Sequence, residues 1–190
     1  MWISHLVTQG VYGAYTLGVS GNVPFCIMKK DKPCPDVLCA LLGTRHPIVQ
    51  AGMVWCTGWE LAAEVGKAGA LGTLGAGSMY PEELKAEIQR LKAAWDGPFA
   101  VNVPLLYPDV EAHMETIAAA GVPVVFTSAG SPEKWTGFLK EAGATVIHVV
   151  SSATFARKAE DAGVDAVVAE GFEAGGHNGR EETTTMCLVP

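Results

Sequence analysis

The stretch with the most chemical content is Glu170-Gly171-Phe172-Glu173-Ala174-Gly175-Gly176-His177-Asn178-Gly179-Arg180. Gly175 and Gly176 together free the backbone to present N–H groups, which suits a phosphate or a flat heterocycle. His177 follows at once, and an imidazole on a short loop can accept or donate a proton near neutral pH. The bland alternative is an ordinary Gly-rich turn with an exposed His. Two further positions stand out. Asn102 sits inside the apolar run Phe99-Ala100-Val101-Asn102-Val103-Pro104. A carboxamide there is costly to bury unpaired, and its donor and acceptor suit the edge of a heterocycle. A core Asn bonding a neighbouring loop would look the same. Gln50-Ala51-Gly52-Met53 ends another apolar run, and its small residues let a ligand approach the backbone closely. His148, between Ile147 and Val149, reads as a packing residue more readily than as a functional one.

These positions need a scaffold, and the chain supplies a regular one from Leu41 onward. Short apolar runs recur at Pro47–Met53, Leu71–Gly75, Phe99–Leu105, Val122–Phe126, Thr145–Val150 and Asp165–Ala169. They are nearly continuous and rich in Val, as strands buried on both faces are. Helical segments lie between them. Thr57-Gly58-Trp59-Glu60 reads as a capping box. Pro81-Glu82-Glu83 opens a helix with Leu84, Ile88 and Leu91 on one face, and Ser131-Pro132-Glu133 opens another with proline at its first position. Gly69, Gly121, Gly143 and Gly163 stand where left-handed helix caps belong.

Strand, helix, Gly, strand repeated in this way means right-handed βαβ units around a parallel sheet. An open doubly wound sheet would carry a GxGxxG turn after its first strand, which Gln50-Ala51-Gly52-Met53 does not match. The near-uniform repeat favours an α/β fold of the TIM (β/α)8 barrel type, truncated after about six βα units. Cys187–Pro190 is a candidate start of a seventh strand. In a barrel the active site lies at the C-terminal ends of the strands, where all the positions named above fall. Residues 1–36, interrupted by Gly10, Gly13, Gly18 and Gly21, read as a poorly structured N-terminal extension. The alternative is a plug or hairpin over the barrel's N-terminal face. Residues 37–190 form the partial barrel.

Composition narrows the class. The chain has 190 residues, 49% hydrophobic and 17% charged, with a net charge of −7. That is a globular balance without the basic surface that nucleic acid or an anionic membrane requires. The five cysteines are odd in number and scattered, with no zinc-like spacing, so reduced thiols, no metal and a cytoplasmic location are expected.

Pro47-Ile48-Val49-Gln50-Ala51-Gly52-Met53, Gly75-Ala76-Gly77-Ser78, Val101-Asn102-Val103-Pro104 and Glu173-Ala174-Gly175-Gly176-His177 resemble, in order and spacing, the nitronate monooxygenase family. That family, formerly the 2-nitropropane dioxygenases, includes the FMN-dependent enoyl-ACP reductase II enzymes. The resemblance runs from about Val37 to Pro190. It implies a TIM barrel with FMN at its mouth. Ala51, Gly52 and Met53 would run against the flavin through their backbone. Asn102 would reach the isoalloxazine or ribityl region, Gly175 and Gly176 would flank the cofactor, and His177 would stand beside substrate and flavin N5. Glu170 is a weaker carry-over. The implied reaction is oxidation of propionate 3-nitronate or alkyl nitronates with O2. The alternative is NAD(P)H-dependent reduction of an enoyl thioester, and a third reading is an inactive or interaction fragment. Homo-oligomer formation is left open. The family grips the FMN phosphate with loops after strands seven and eight. The chain is therefore expected to be marginal in folding and weak in FMN binding by itself, with two open sheet edges.

Overall fold

The computed structural model describes residues 8–10, 13–19 and 37–189. Helix α1 (Val37–Leu42) is followed by α2 (Trp59–Ala68), β3 (Gly72–Gly75) and α3 (Pro81–Ala94). Then come β4 (Phe99–Pro104), α4 (Val110–Ala120), β5 (Val124–Ser128) and α5 (Glu133–Glu141). The chain continues through β6 (Thr145–Val150), α6 (Ala153–Asp161), β7 (Ala166–Glu170) and the short α7 (Thr185–Leu188). Strands β3 to β7 pair in parallel and in sequence order. Ahead of them, β1 (Thr8–Gly10) and β2 (Gly13–Val19) form an antiparallel hairpin, and β2 pairs antiparallel with β7.

The alternation of side chains along each strand divides the core into two layers. On the helix-facing side, Leu74, Val101, Val103, Val125, Val146 and Val150 pack against Leu84, Ile88 and Leu91 of α3, Met114 and Ile117 of α4 and Leu139 of α5. Each fully buried aliphatic side chain contributes on the order of 2 kcal/mol. On the other side, Leu71, Ala100, Val124, Phe126, Ile147, Ala166 and Val168 form a second cluster. Leu38 and Leu42 of α1 close that cluster at the N-terminal ends of the strands. The inner face is thus plugged below, and its upper end remains for polar residues.

Most of the expected punctuation is present. Gly69, Gly121, Gly143 and Gly163 all have positive φ just past helix ends. Glu83 accepts a hydrogen bond from Tyr80 N–H at 2.9 Å and caps α3. Four local expectations need correction. The run Pro47–Met53 is not a full strand and makes one isolated bridge, Val49 to Leu71. The reason is Gln50: its Nε2 donates to Thr73 O and its Oε1 accepts from Thr73 N–H, both at 3.1 Å. A side-chain carboxamide takes the place of the next rung of the ladder. Thr57 does not cap α2; its hydroxyl donates to Met53 O at 2.9 Å. The cap is Gly58, and Glu87 of α3 accepts from Trp59 N–H at 2.8 Å. Pro132 is the N-cap of α5 rather than its first helical residue. Residues 185–188 form α7 rather than a strand, because Glu173 accepts the Thr185 N–H at 3.0 Å and anchors a helical turn.

The extension assigned to residues 1–36 lies largely outside the described residues; β1 and β2 are its described parts. The outer edge of β7, expected to be open, pairs with β2 through Tyr15 to Glu170 and Val19 to Ala166.

Candidate active site

The parity that places Ala100, Phe126 and Val168 on the inner face also places Asn102, Ser128 and Glu170 there. All three lie at the C-terminal ends of their strands, above the apolar plug. Asn102 is the hub. Its Nδ2 donates to Gly52 O and its Oδ1 accepts from Ser128 Oγ, both at 3.4 Å. These bonds are long, so the half-buried carboxamide retains hydrogen-bonding capacity. Gly52 is pressed against it: a Cβ there would stand 2.5 Å from Asn102 Cβ and 3.2 Å from Leu74 O. Only glycine fits, and the 51–53 backbone therefore passes directly beside the mouth. Thr73 Oγ1, on the same face, is buried without a hydrogen-bond partner among the described residues.

Glu170 occupies the β7 side of the same face. Burial pushes its carboxyl up to about 7, so the neutral acid is populated near physiological pH. A half-buried neutral carboxyl can donate a hydrogen bond as well as accept one.

The loop after β7 is built differently. Asn178 Nδ2 donates to Phe172 O and Ala174 O, each at 2.8 Å, and gathers the loop into a compact turn. Glu173 accepts from Thr185 Oγ1 at 3.3 Å; hydrogen bonds from its own backbone and from Thr185 hold its carboxyl below the usual range. Gly179 lies so close to Ser151, just past β6, that a side chain there would collide with it. The loop therefore leans back over the β6 end of the mouth. Gly175, Gly176 and His177 are exposed on it. Gly176 has φ +92°, and no atom of the described residues comes within 4 Å of a Cβ built there.

Of the expected site residues, Ala51, Gly52, Met53 and Asn102 are brought together directly, and Glu170 shares their face. Gly175, Gly176 and His177 stand on the adjoining loop. His148 is elsewhere: it is 4% exposed on the helix-facing side, with Nδ1 2.7 Å from Thr127 Oγ1. Ser128 lies just past the apolar run Val122–Phe126 and carries no apolar signal of its own. Continuing the run's alternation by one more pair places Ser128 beside Asn102. No group of three or more metal-ligating side chains occurs among the described residues. No described helix is long and apolar enough to cross a membrane.

The chain has known relatives. The family profile described as Nitronate monooxygenase matches residues 36–121 and 108–190. The chain belongs to the nitronate monooxygenase family. A probable nitronate monooxygenase of Staphylococcus saprophyticus is 35% identical, with 79% of this chain covering 52% of that protein. The (3aS,4S,5R,7aS)-5-hydroxy-7a-methyl-1-oxo-octahydro-1H-indene-4-carboxyl-CoA dehydrogenase of Mycobacterium tuberculosis is 38% identical, with 78% of this chain covering 42% of it. The structure of FabK from Thermotoga maritima superposes with a TM-score of 0.79 at 43% identity, over 82% of this chain and 50% of that one. The parallel sheet with alternating helices is thus part of a TIM barrel, and the family is one of oxidoreductases. This member spans about half the length of the relatives it matches.

Proposed function

We propose that this nitronate monooxygenase family chain carries the flavin-facing half of an FMN-dependent oxidoreductase that oxidises nitronates with O2. The observation that carries the reading is the junction of Gly52 and Asn102. A backbone stripped of side chains lies against a carboxamide with spare hydrogen-bonding capacity at a barrel mouth. That junction fits the edge of an isoalloxazine ring better than it fits a packing role, because a packing Asn would be expected to hold shorter bonds. Ala51, Gly52 and Met53 would border the ring through their backbone, and Asn102 would bond its polar edge. Glu170 would meet it from the β7 side, and Gly175 and Gly176 would offer N–H groups. When bound, FMN would supply the electron transfer.

The chain's own residues would do the rest. A nitronate is an anion, and His177 would hold it against the ring by a hydrogen bond and keep a proton at the imidazole. The Asn178-braced loop would close over the substrate and exclude water. A cytoplasmic setting and small-molecule partners accord with this reading.

A second reading takes its substrate class, a thioester, from the CoA in the name of the carboxyl-CoA dehydrogenase relative, and runs the redox step as a reduction. Here the substrate is an enoyl thioester, NAD(P)H is the reductant, and His177 polarises the thioester carbonyl. Anaerobic mixing distinguishes the two. Bleaching of bound flavin by propionate 3-nitronate but not by NADPH supports the oxidase; rapid bleaching by NADPH supports the reductase. In a form that turns over, His177→Ala should cut turnover at least about a hundredfold while flavin stays bound. Unchanged turnover would remove His177 from the catalytic role. A purified chain that takes no flavin and turns nothing over would favour the interaction fragment.

A further inference from the structure

Of the two buried histidines among the described residues, His113 bonds Met79 O, 2.9 Å away, and His148 is the one that stands on a strand of the mouth. It lies behind the mouth, on the opposite side of the sheet. Its register partner on β5 is Thr127, which is fully buried, and the ring's Nδ1 is 2.7 Å from Thr127 Oγ1. The backbone at Gly130 and Thr127 also acts on the ring, opposing the burial that lowers its pKa. One imidazole therefore ties β6 to the turn that leaves β5.

That turn has reason to need holding. Ala129 is left-handed at φ +52° without being glycine. A Cβ on Gly130 would lie 2.8 Å from Leu105 Cβ, so the backbone there is pressed against the β4 exit. Leu105 N–H donates to Ser128 O at 2.7 Å. Strain of this kind persists only where the surroundings over-determine it. Ser128, one residue beyond Thr127, turns to the inner face and donates to Asn102. The chain of contacts runs from His148, through Thr127 and Gly130, to Ser128 and Asn102.

We infer that His148 is a positioning residue that clamps the Thr127–Ser131 turn from behind and so sets where Ser128 and Asn102 stand in the mouth. The inference rests on the proposed flavin site for its purpose, but the clamp itself concerns the unliganded chain. A neutral imidazole suits the task because it donates and accepts at once. Burial keeps it neutral, pushing its pKa down to about 4. An aliphatic side chain of similar size would leave Thr127 Oγ1 without its partner and the Gly130 turn without the ring behind it.

The test compares the full chain with His148→Leu, His148→Gln and Thr127→Val. Amide exchange is followed at Gly130 and Ser131, and the Asn102 side-chain amide is followed by NMR. In His148→Leu, exchange at Gly130 and Ser131 should rise about tenfold, with α3 amides unchanged. The Asn102 signals should move in the same variant. His148→Gln, which restores a donor and an acceptor, should recover most of both effects. Thr127→Val removes one partner with little change of shape and decides the matter if His148→Leu fails to fold. Unchanged Gly130 exchange in the variants that fold would overturn the clamp. Faster exchange with stationary Asn102 signals would overturn its link to the mouth. FMN titration of the unaltered chain is a separate measurement. Absence of binding there would sink the flavin reading, while the Gly130 and Asn102 signals would still decide the clamp.

Discussion

The two halves of the mouth are built on different terms. On the β3–β5 side, Gly52 is pressed against Asn102 so closely that it admits no added atom, Asn102 bonds Ser128, and His148 stands behind them on the far face of the sheet. On the β7 side, Gly175, Gly176 and His177 stand exposed on a loop gathered mainly by the Asn178 carboxamide. The first half is formed before any ligand arrives. The second is organised locally, with its chemical groups facing open space. Under the proposed function, a flavin would thus find a finished edge on one side, and His177 would acquire its final position when something is bound. This division suits an enzyme whose rigid strands place the cofactor and whose loop meets the substrate.

The comparison is tested most severely at Gly52. Gly52→Ala places a methyl 2.5 Å from Asn102 Cβ, against a neighbour fixed in mid-strand. The expected cost is about 3 kcal/mol of folding stability, the upper end of what overpacking in a dense core brings. Urea unfolding measures it. A loss below about 1 kcal/mol would mean that the mouth yields, and the rigid half would not be rigid.

The next largest effect is pH-dependent and has opposite sign on the two sides. His148 has a folded pKa of about 4 against an ordinary 6.5. Its contribution is complete above pH 6.5 and is lost as pH falls towards 4, by roughly 3 kcal/mol in total. Glu170 has a folded pKa of about 7 against 4.5. Its contribution is complete below pH 4.5 and is lost as pH rises through 7. Between pH 4.5 and 6.5 the two slopes oppose each other. Urea midpoints should therefore rise more steeply with pH in Glu170→Gln than in the unaltered chain, and less steeply in His148→Gln. Parallel curves for all three would show that neither burial governs stability.

The same contrast explains how much could be read in the sequence. Helix faces and the C-terminal ends of four helices were legible because Leu84, Ile88 and Leu91, and Gly69, Gly121, Gly143 and Gly163, report local periodicity and backbone sign. Asn102 and Gly52 were legible because a carboxamide in an apolar run and a glycine at its end are each unusual by themselves. What escaped was cross-chain substitution. Gln50 replaces a ladder rung on Thr73, and Glu87 caps a helix from another helix 28 residues away. In neither case does the neighbouring sequence carry the signal, since the partner is chosen by packing. Ser128 lies between these cases: its alternation is present, but the apolar run ends before reaching it. His148 read correctly as a packing residue, but its partners Thr127 and Gly130 emerge only from strand register and turn geometry.

The smallest effects distinguish a loop that is organised from one that is finished. Asn178→Ala removes two hydrogen bonds to Phe172 O and Ala174 O. Each is worth about 1 kcal/mol, so exchange at the loop amides should accelerate by roughly tenfold to thirtyfold. Gly176→Ala removes no contact and creates no clash, because nothing among the described residues lies within 4 Å. Its only cost is the left-handed backbone at φ +92°, about 1 kcal/mol. If the loop already holds its working shape, that cost should appear as faster loop exchange in the free chain. If the shape is completed only around a ligand, the free chain relaxes and the cost appears as a roughly fivefold loss of ligand affinity instead. The contrast between the two halves predicts the second outcome. Faster exchange in free Gly176→Ala with unchanged affinity would show that the loop is as preformed as the Gly52 side.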